Sequence, residues 1–158
     1  MLYNSNIEKI TRISQQIDDY VNSLGKAQIA VYQFPALNER RDFSLFLNAL
    51  MANLRRAELR PVYSWSYDVN SEAYTLILLV NGYWRNDMND VTEAVNRLWN
   101  LYSTGYSKKI ADMAVNIETQ EQDKAALWNI LQQAVFSPIN CARVNPFHQR
   151  QFACCRVY

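Results

Sequence analysis

The stretch Ala73-Tyr74-Thr75-Leu76-Ile77-Leu78-Leu79-Val80-Asn81 decides the fold of this chain. Its apolar residues occupy both faces of an alternating segment, which predicts a central strand covered on both sides. A second strand-like run comes just before it, Pro61-Val62-Tyr63-Ser64-Trp65-Ser66-Tyr67-Asp68, and a polar turn at Val69-Asn70-Ser71-Glu72 joins the two. We expect this hairpin to form the centre of the fold.

Apolar residues at three- and four-residue steps predict four amphipathic helices around the hairpin. They cover residues 6–24, 43–57, 90–102 and 121–136. Gly25 ends the first helix, and Asp90 with Glu93 predicts a capping box at the start of the third. Further strands are expected at residues 26–34, 110–118 and, in the tail, 151–158. This order predicts the α+β class, with an antiparallel central sheet layered with helices and a single domain over residues 1–158.

Bulk composition is that of an ordinary globular protein. The chain has 158 residues, and its apolar fraction of 49% argues against disorder. No apolar run approaches the ~18 residues that span a bilayer, so we expect no membrane partner. The first residues, Met1-Leu2-Tyr3-Asn4, lack a charged and then apolar secretory pattern, which predicts a cytoplasmic protein.

The three cysteines lie near the end of the chain, at Cys141, Cys154 and Cys155. Their odd number and the adjacent pair argue against a disulfide framework. A tetrahedral zinc site would need His148 as a fourth ligand, and free thiols are the favoured interpretation. We therefore predict no metal and no cofactor.

Common catalytic motifs are missing from the sequence. His148 is the one histidine and lies in the irregular segment Asn145-Pro146-Phe147-His148, so a histidine-based triad is not expected. The three glycines are isolated, which excludes a glycine-rich phosphate loop. Asp68, at the end of the first central strand, offers one carboxylate to a divalent cation, and hard cations require several oxygen ligands.

Arginines are densest around the second helix. A net charge of +1 lacks the basic excess typical of proteins that grip many phosphates. The cluster is either a solvated helix face or a surface for nucleic acid or an acidic partner, and the solvated face is the commoner case. It consists of Arg40, Arg41, Arg55 and Arg56, with Arg60 close by.

Aromatic residues make up 13% of the chain, and three of them share one face of the first central strand. Tyr63, Trp65 and Tyr67 form a row that either stacks nucleobases or packs under a helix, and packing is the more frequent use. We add Trp84, which follows the second central strand, as a further candidate binding residue.

From about Ile7 to Ala142, the layout resembles the inovirus-type replication proteins of filamentous phages, prophages and satellite elements. These proteins are relatives of the His-hydrophobic-His (HUH) rolling-circle endonucleases. The resemblance rests on the helix from Arg41 to Leu54, the run from Tyr63 to Asp68 and, above all, the run from Ala73 to Asn81. It implies an HUH replication-initiator-like sheet.

The catalytic positions of that family are changed in this chain. The family's central strand reads His-Tyr-His, aliphatic residues and then Asn; Tyr74 and Asn81 match, while Ala73 and Thr75 replace the histidines. In the family those imidazoles hold the metal that polarises the scissile phosphate. The family's carboxylate position corresponds to Asp68. These three positions, Asp68, Ala73 and Thr75, are therefore interpreted as vestigial.

The family's tyrosine nucleophile is also missing. It belongs on the late helix, and the corresponding region here, Ser137-Pro138-Ile139-Asn140-Cys141-Ala142-Arg143, contains none. Tyr102 and Tyr106 lie on other elements, so we do not expect an enzyme.

These observations favour a non-catalytic protein of a phage, prophage or other mobile element. Its expected partner is a host protein or nucleoprotein complex, and an inhibitor of host defence such as an anti-CRISPR protein fits this profile. The alternative is a DNA-binding replication accessory or initiator that uses the arginine cluster with Lys108 and Lys109 and retains some metal-dependent nicking.

Overall fold

A computed structural model describes residues 2–35, 40–68, 72–83, 87–103, 107–118, 120–135 and 152–155. It contains four long helices in this part of the chain: α1 (Leu2–Leu24), α2 (Arg40–Arg56), α3 (Asn89–Tyr102) and α4 (Gln120–Val135). All four fall where the apolar periodicity predicts them.

The strands in the described part of the chain form one five-stranded antiparallel sheet in the order β4-β1-β3-β2-β5. They are β1 (Lys26–Pro35), β2 (Val62–Asp68), β3 (Ala73–Asn81), β4 (Lys108–Asn116) and β5 (Phe152–Cys154). The succession β1-α2-β2-β3-α3-β4 with the strand order β4-β1-β3-β2 is the split βαβ, or ferredoxin-like, arrangement. The predicted α+β class is confirmed, and the HUH label itself stays a prediction.

The central position of β3 follows from its sequence. Every residue from Tyr74 to Val80 is buried, as expected for a strand with an aliphatic side chain on both faces. β3 pairs with β1 on one side, where Ala30 faces Leu78, and with β2 on the other.

Each face of the sheet is covered by a pair of helices. Even-numbered β3 residues such as Leu76 and Leu78 pack with apolar residues of α2 and α3, including Phe46 and Trp99. The odd-numbered Ile77 and Leu79 pack with α1 and α4. The chain therefore buries two hydrophobic layers, one on either side of a single sheet.

Residues with a left-handed backbone mark two helix ends. Gly25 has φ 91° and ends α1, as predicted. After α2 the same role falls to Glu58, with φ 61°: its N–H donates to Arg55 O, and Leu59 N–H donates to Leu54 O. That pair of hydrogen bonds is a Schellman motif with a glutamate where glycine is usual.

The capping box predicted from Asp90 and Glu93 is wrong. The N-cap of α3 is Met88, which is fully buried, and the helix begins at Asn89 without a side-chain cap. Thr92 N–H donates to Met88 O and starts the helical ladder. Met88 packs in the core and Asn89 N–H donates to Asp87 Oδ1 at 3.0 Å, and the N-cap lies two residues before the Asp-x-x-Glu pattern.

Candidate binding surface

Strand register brings the three vestigial positions to one corner of the sheet. Asp68, the last residue of β2, pairs with Ala73, the first residue of β3. Thr75 lies two residues further along β3, on the same face as Ala73, and its side chain is 7% exposed. Its neighbours across the strands are Gln33 and Ser66.

The residues at this corner supply one carboxylate and no imidazole. A methyl group at Ala73 cannot bind a metal, and a threonine hydroxyl is a weak, neutral ligand. Within the described residues, no three His, Cys, Asp or Glu side chains are grouped as a metal site. Strand register thus brings the three positions together, while Ala73 and Thr75 supply no imidazole.

The aromatic row on β2 lies beside α2. Tyr63, Trp65 and Tyr67 are all half-buried and pack against the α2–α3 side of the core. The Trp65 ring contacts Phe43 edge-on, with centroids 5.6 Å apart, and it contacts Tyr74 at 5.9 Å. The inner edges of the row are therefore held by the core, while part of each ring remains exposed.

The exposed Arg55 flanks one end of this row. Arg55 lies in the last turn of α2, and β2 begins at Val62, six residues after α2 ends, so this end of α2 lies near the Tyr63 end of the row. Burial raises the pKa of the Cys155 thiol, and the Cys155 N–H donates to Tyr63 O at 3.0 Å. We call Arg55, Tyr63, Trp65 and Tyr67 the aromatic strip.

The arginine cluster of the sequence is divided by the helix that carries it. Arg40 and Arg41 begin α2 and Arg55 and Arg56 end it, about 22 Å away at 1.5 Å per residue. Phe43, near the first pair, stacks on Tyr74 with centroids 4.0 Å apart. Since Tyr74 pairs with Tyr67, the first pair begins α2 at the Tyr67 end of the aromatic strip.

A strained turn lies next to the second arginine pair. Arg60 has φ 50°, so it and Glu58 both adopt the left-handed conformation that ordinary residues avoid. The Tyr20 hydroxyl of α1 donates to Arg60 O at 2.8 Å and holds this turn in place. No pattern in the sequence predicts either left-handed residue.

Sequence reasoning also missed Gln16, which joins three elements. Its side-chain amide donates to Tyr63 O and to Cys155 O, both at 2.8 Å, and Gln16 itself is 5% exposed. Tyr63 N–H donates to the Cys155 sulfur at 3.1 Å. The sequence alone suggests that Gln16 is a polar surface residue of α1. Its hydrogen-bond partners are far away in sequence, so no local pattern indicates its burial.

The remaining predicted residues are dispersed or not described. Lys109 forms an ion pair with Asp112 at 2.6 Å, and Lys108 is exposed. Trp84, Cys141 and His148 lie outside the described residues, as does the region from 137 to 143.

Comparison with protein-family models, curated proteins and solved structures finds no match to this chain. Among the described helices, none has the length and apolarity to cross a membrane.

Proposed function

We propose that this chain is a non-catalytic binding protein of a mobile element, which holds a host protein or nucleoprotein complex on its aromatic strip. The observation that carries this proposal is the partly exposed row Tyr63-Trp65-Tyr67 with Arg55 near its end. Tyr, Trp and Arg are the residues that dominate the binding energy of protein interfaces.

The packing of the row supports this use. Core contacts fix the inner edges: Trp65 is held by Phe43 and Tyr74, and the rings of Tyr67 and Tyr74 lie 4.8 Å apart. Rings that are already immobile lose little conformational entropy when a partner covers their outer edges. The strip therefore offers contact area at low entropic cost.

The corner formed by Asp68, Ala73 and Thr75 supports a role without catalysis. Register brings the positions together, yet neither Ala73 nor Thr75 supplies an imidazole. The source in a mobile element and a partner in host defence rest on the family resemblance alone. An inhibitor of a CRISPR complex is the specific form of the proposal.

The test is binding to a panel of purified CRISPR effector complexes, followed by charge reversal at the strip. For the complex that binds, Arg55→Glu weakens affinity about thirtyfold or more, the size of a hot-spot loss. Arg56→Glu is the matched control, because Arg56 is the exposed neighbour one step (about 100°) further around α2. A chain that binds none of these complexes and shifts DNA oligonucleotides instead would overturn the proposal.

A DNA-binding replication accessory is the second candidate, and one observation favours it. The aromatic row runs between the two arginine pairs of α2, an arrangement in which bases stack while cations meet phosphates. This function predicts binding of a single-stranded oligonucleotide that weakens steeply as salt rises. Absence of binding at low salt, measured by fluorescence anisotropy, would dispose of it.

A further inference from the structure

The outer edge of β4 offers hydrogen-bonding groups in a defined order. Ile117, just after β4, donates its N–H to Gly25 O, just before β1. Because N–H groups alternate along a strand, the N–H groups of Val115 and Met113 also point to β1. Those of Asp112 and Ala114, with their carbonyls, point away from the sheet.

Two features limit main-chain pairing at the ends of this edge. Asn116 N–H points outward and donates to a carboxylate oxygen of Asp123 on α4, at 3.4 Å. At the other end, Val31 pairs with Ala111 and Tyr32 with Lys109, which leaves Ile110 as the extra residue of a bulge. Within the described residues, no strand pairs with the open segment between them.

We propose that a second copy of this chain pairs with this segment, antiparallel and about a twofold axis at Met113. Asp112 of each copy then faces Ala114 of the other, and each such pair exchanges two main-chain hydrogen bonds. A twofold axis at Asp112 would instead place the Asp112 carboxylates of the two copies directly opposite each other. Like charges in that position are destabilising. An isologous contact of this kind joins the two sheets into one.

Charge along the strand supports a second copy as the occupant. Lys108 begins β4 and Glu118 follows its end, and both side chains are exposed. Antiparallel pairing about Met113 places the basic start of one strand along the acidic end of the other. Ala114 is small and exposed, so its side chain does not obstruct the approach.

The test measures the molar mass of the full chain by size-exclusion chromatography with light scattering. We expect a mass near twice the 18.5 kDa of one chain. Ala114→Pro removes one outward N–H without breaking a bond to β1, so it returns the mass to that of a monomer. Ala114→Thr keeps the N–H and stays dimeric. Circular dichroism checks that both variants keep the fold.

Cross-linking tests the position of the axis. Met113→Cys sets two thiols opposite each other at about 4.5 Å between Cα atoms, within disulfide range. Oxidation then gives a covalent dimer on a non-reducing gel. Ala111→Cys is the control and does not cross-link, because it faces Val115 of the other copy. Either of two results would overturn the proposal. One is a monomeric mass for the unsubstituted chain. The other is a dimer that persists in Ala114→Pro and is not cross-linked by oxidation of Met113→Cys.

Discussion

The Tyr20 hydroxyl on α1 donates a hydrogen bond of 2.8 Å to the main-chain carbonyl of Arg60. Arg60 belongs to the short turn between α2 and β2 and has a left-handed backbone. The Tyr20 side chain thus joins α1, which packs on one face of the sheet, to the strained turn that follows α2, which packs on the other face.

Tyr20→Phe removes this bond and keeps the ring. Tyr20 is 1% exposed, so the Arg60 carbonyl loses a buried donor. We expect the free energy of unfolding to fall by about 1 kcal/mol, as measured by urea denaturation. An unchanged midpoint would show that the hydroxyl does not stabilise the turn.

The same hydroxyl gives the protein a sensitivity to alkaline pH. Burial raises the pKa of Tyr20 above its ordinary value near 10, and the Arg60 cation acts weakly against this. The folded chain therefore keeps a proton that the unfolded chain releases. The contribution of the neutral Tyr20 side chain to the free energy of unfolding is complete below about pH 10 and is lost as pH rises beyond it. Unfolding at about pH 8 and about pH 11 should show a smaller alkaline loss in Tyr20→Phe than in the unsubstituted chain; equal losses would contradict this assignment.

Glu58→Gly is expected to stabilise the protein. A side chain with φ 61° crowds its own backbone, whereas glycine adopts this conformation freely. We expect the free energy of unfolding to rise by about 1 kcal/mol. Ala52→Gly, at an exposed position inside α2, is the control and should lower it by about 1 kcal/mol. A loss of stability in both variants would mean that Glu58 makes contacts that outweigh the strain.

Gln16→Leu is expected to weaken the attachment of the segment from β5 to Cys155 to α1. The substitution removes the donors to Tyr63 O and Cys155 O. Cys155 should then react faster with iodoacetamide, because its thiol is now shielded by burial, which also raises its pKa. The rate is measured by mass spectrometry in a chain with Cys141→Ser and Cys154→Ser. Gln15→Leu, at the exposed neighbouring position, should leave the rate unchanged, and a similar rate in both variants would refute the role of Gln16.

Single-stranded or supercoiled DNA should stay intact when it is incubated with this protein and Mg²⁺ or Mn²⁺. The residues at the Asp68, Ala73 and Thr75 corner include one carboxylate and no imidazole, and hard cations require several oxygen ligands. Nicks that depend on the metal and disappear in Asp68→Ala would instead establish an active nuclease.

The hairpin and its surroundings are predictable because the information is local. The run from Leu76 to Val80 has aliphatic residues on both faces, and β3 is buried on both faces as a result. The alternation in β1 likewise predicts which residues face each layer, with Ile29 on one side and Tyr32 on the other. Periodicity is sufficient where a segment's own residues decide its burial.

Other features depend on contacts between distant segments and are not predictable from pattern. The arginines look like one cluster in sequence, but α2 separates them into two pairs. The N-cap of α3 is the buried Met88, two residues before the Asp90 and Glu93 signal. The candidate site is predicted in part: the row on β2 follows from a period of two, while its contact with Phe43 requires the fold.

The strand order has a consequence for synthesis on the ribosome. β1 leaves the ribosome early, yet both of its partners come later: Ala27 pairs with Asn81 and with Val115. β2 and β3 are joined by a short turn and meet quickly, whereas β1 stays unpaired until β3, which ends at Asn81, has been translated. Its aliphatic residues are therefore exposed for that interval, and exposed aliphatic surface of this kind is what chaperones protect from aggregation.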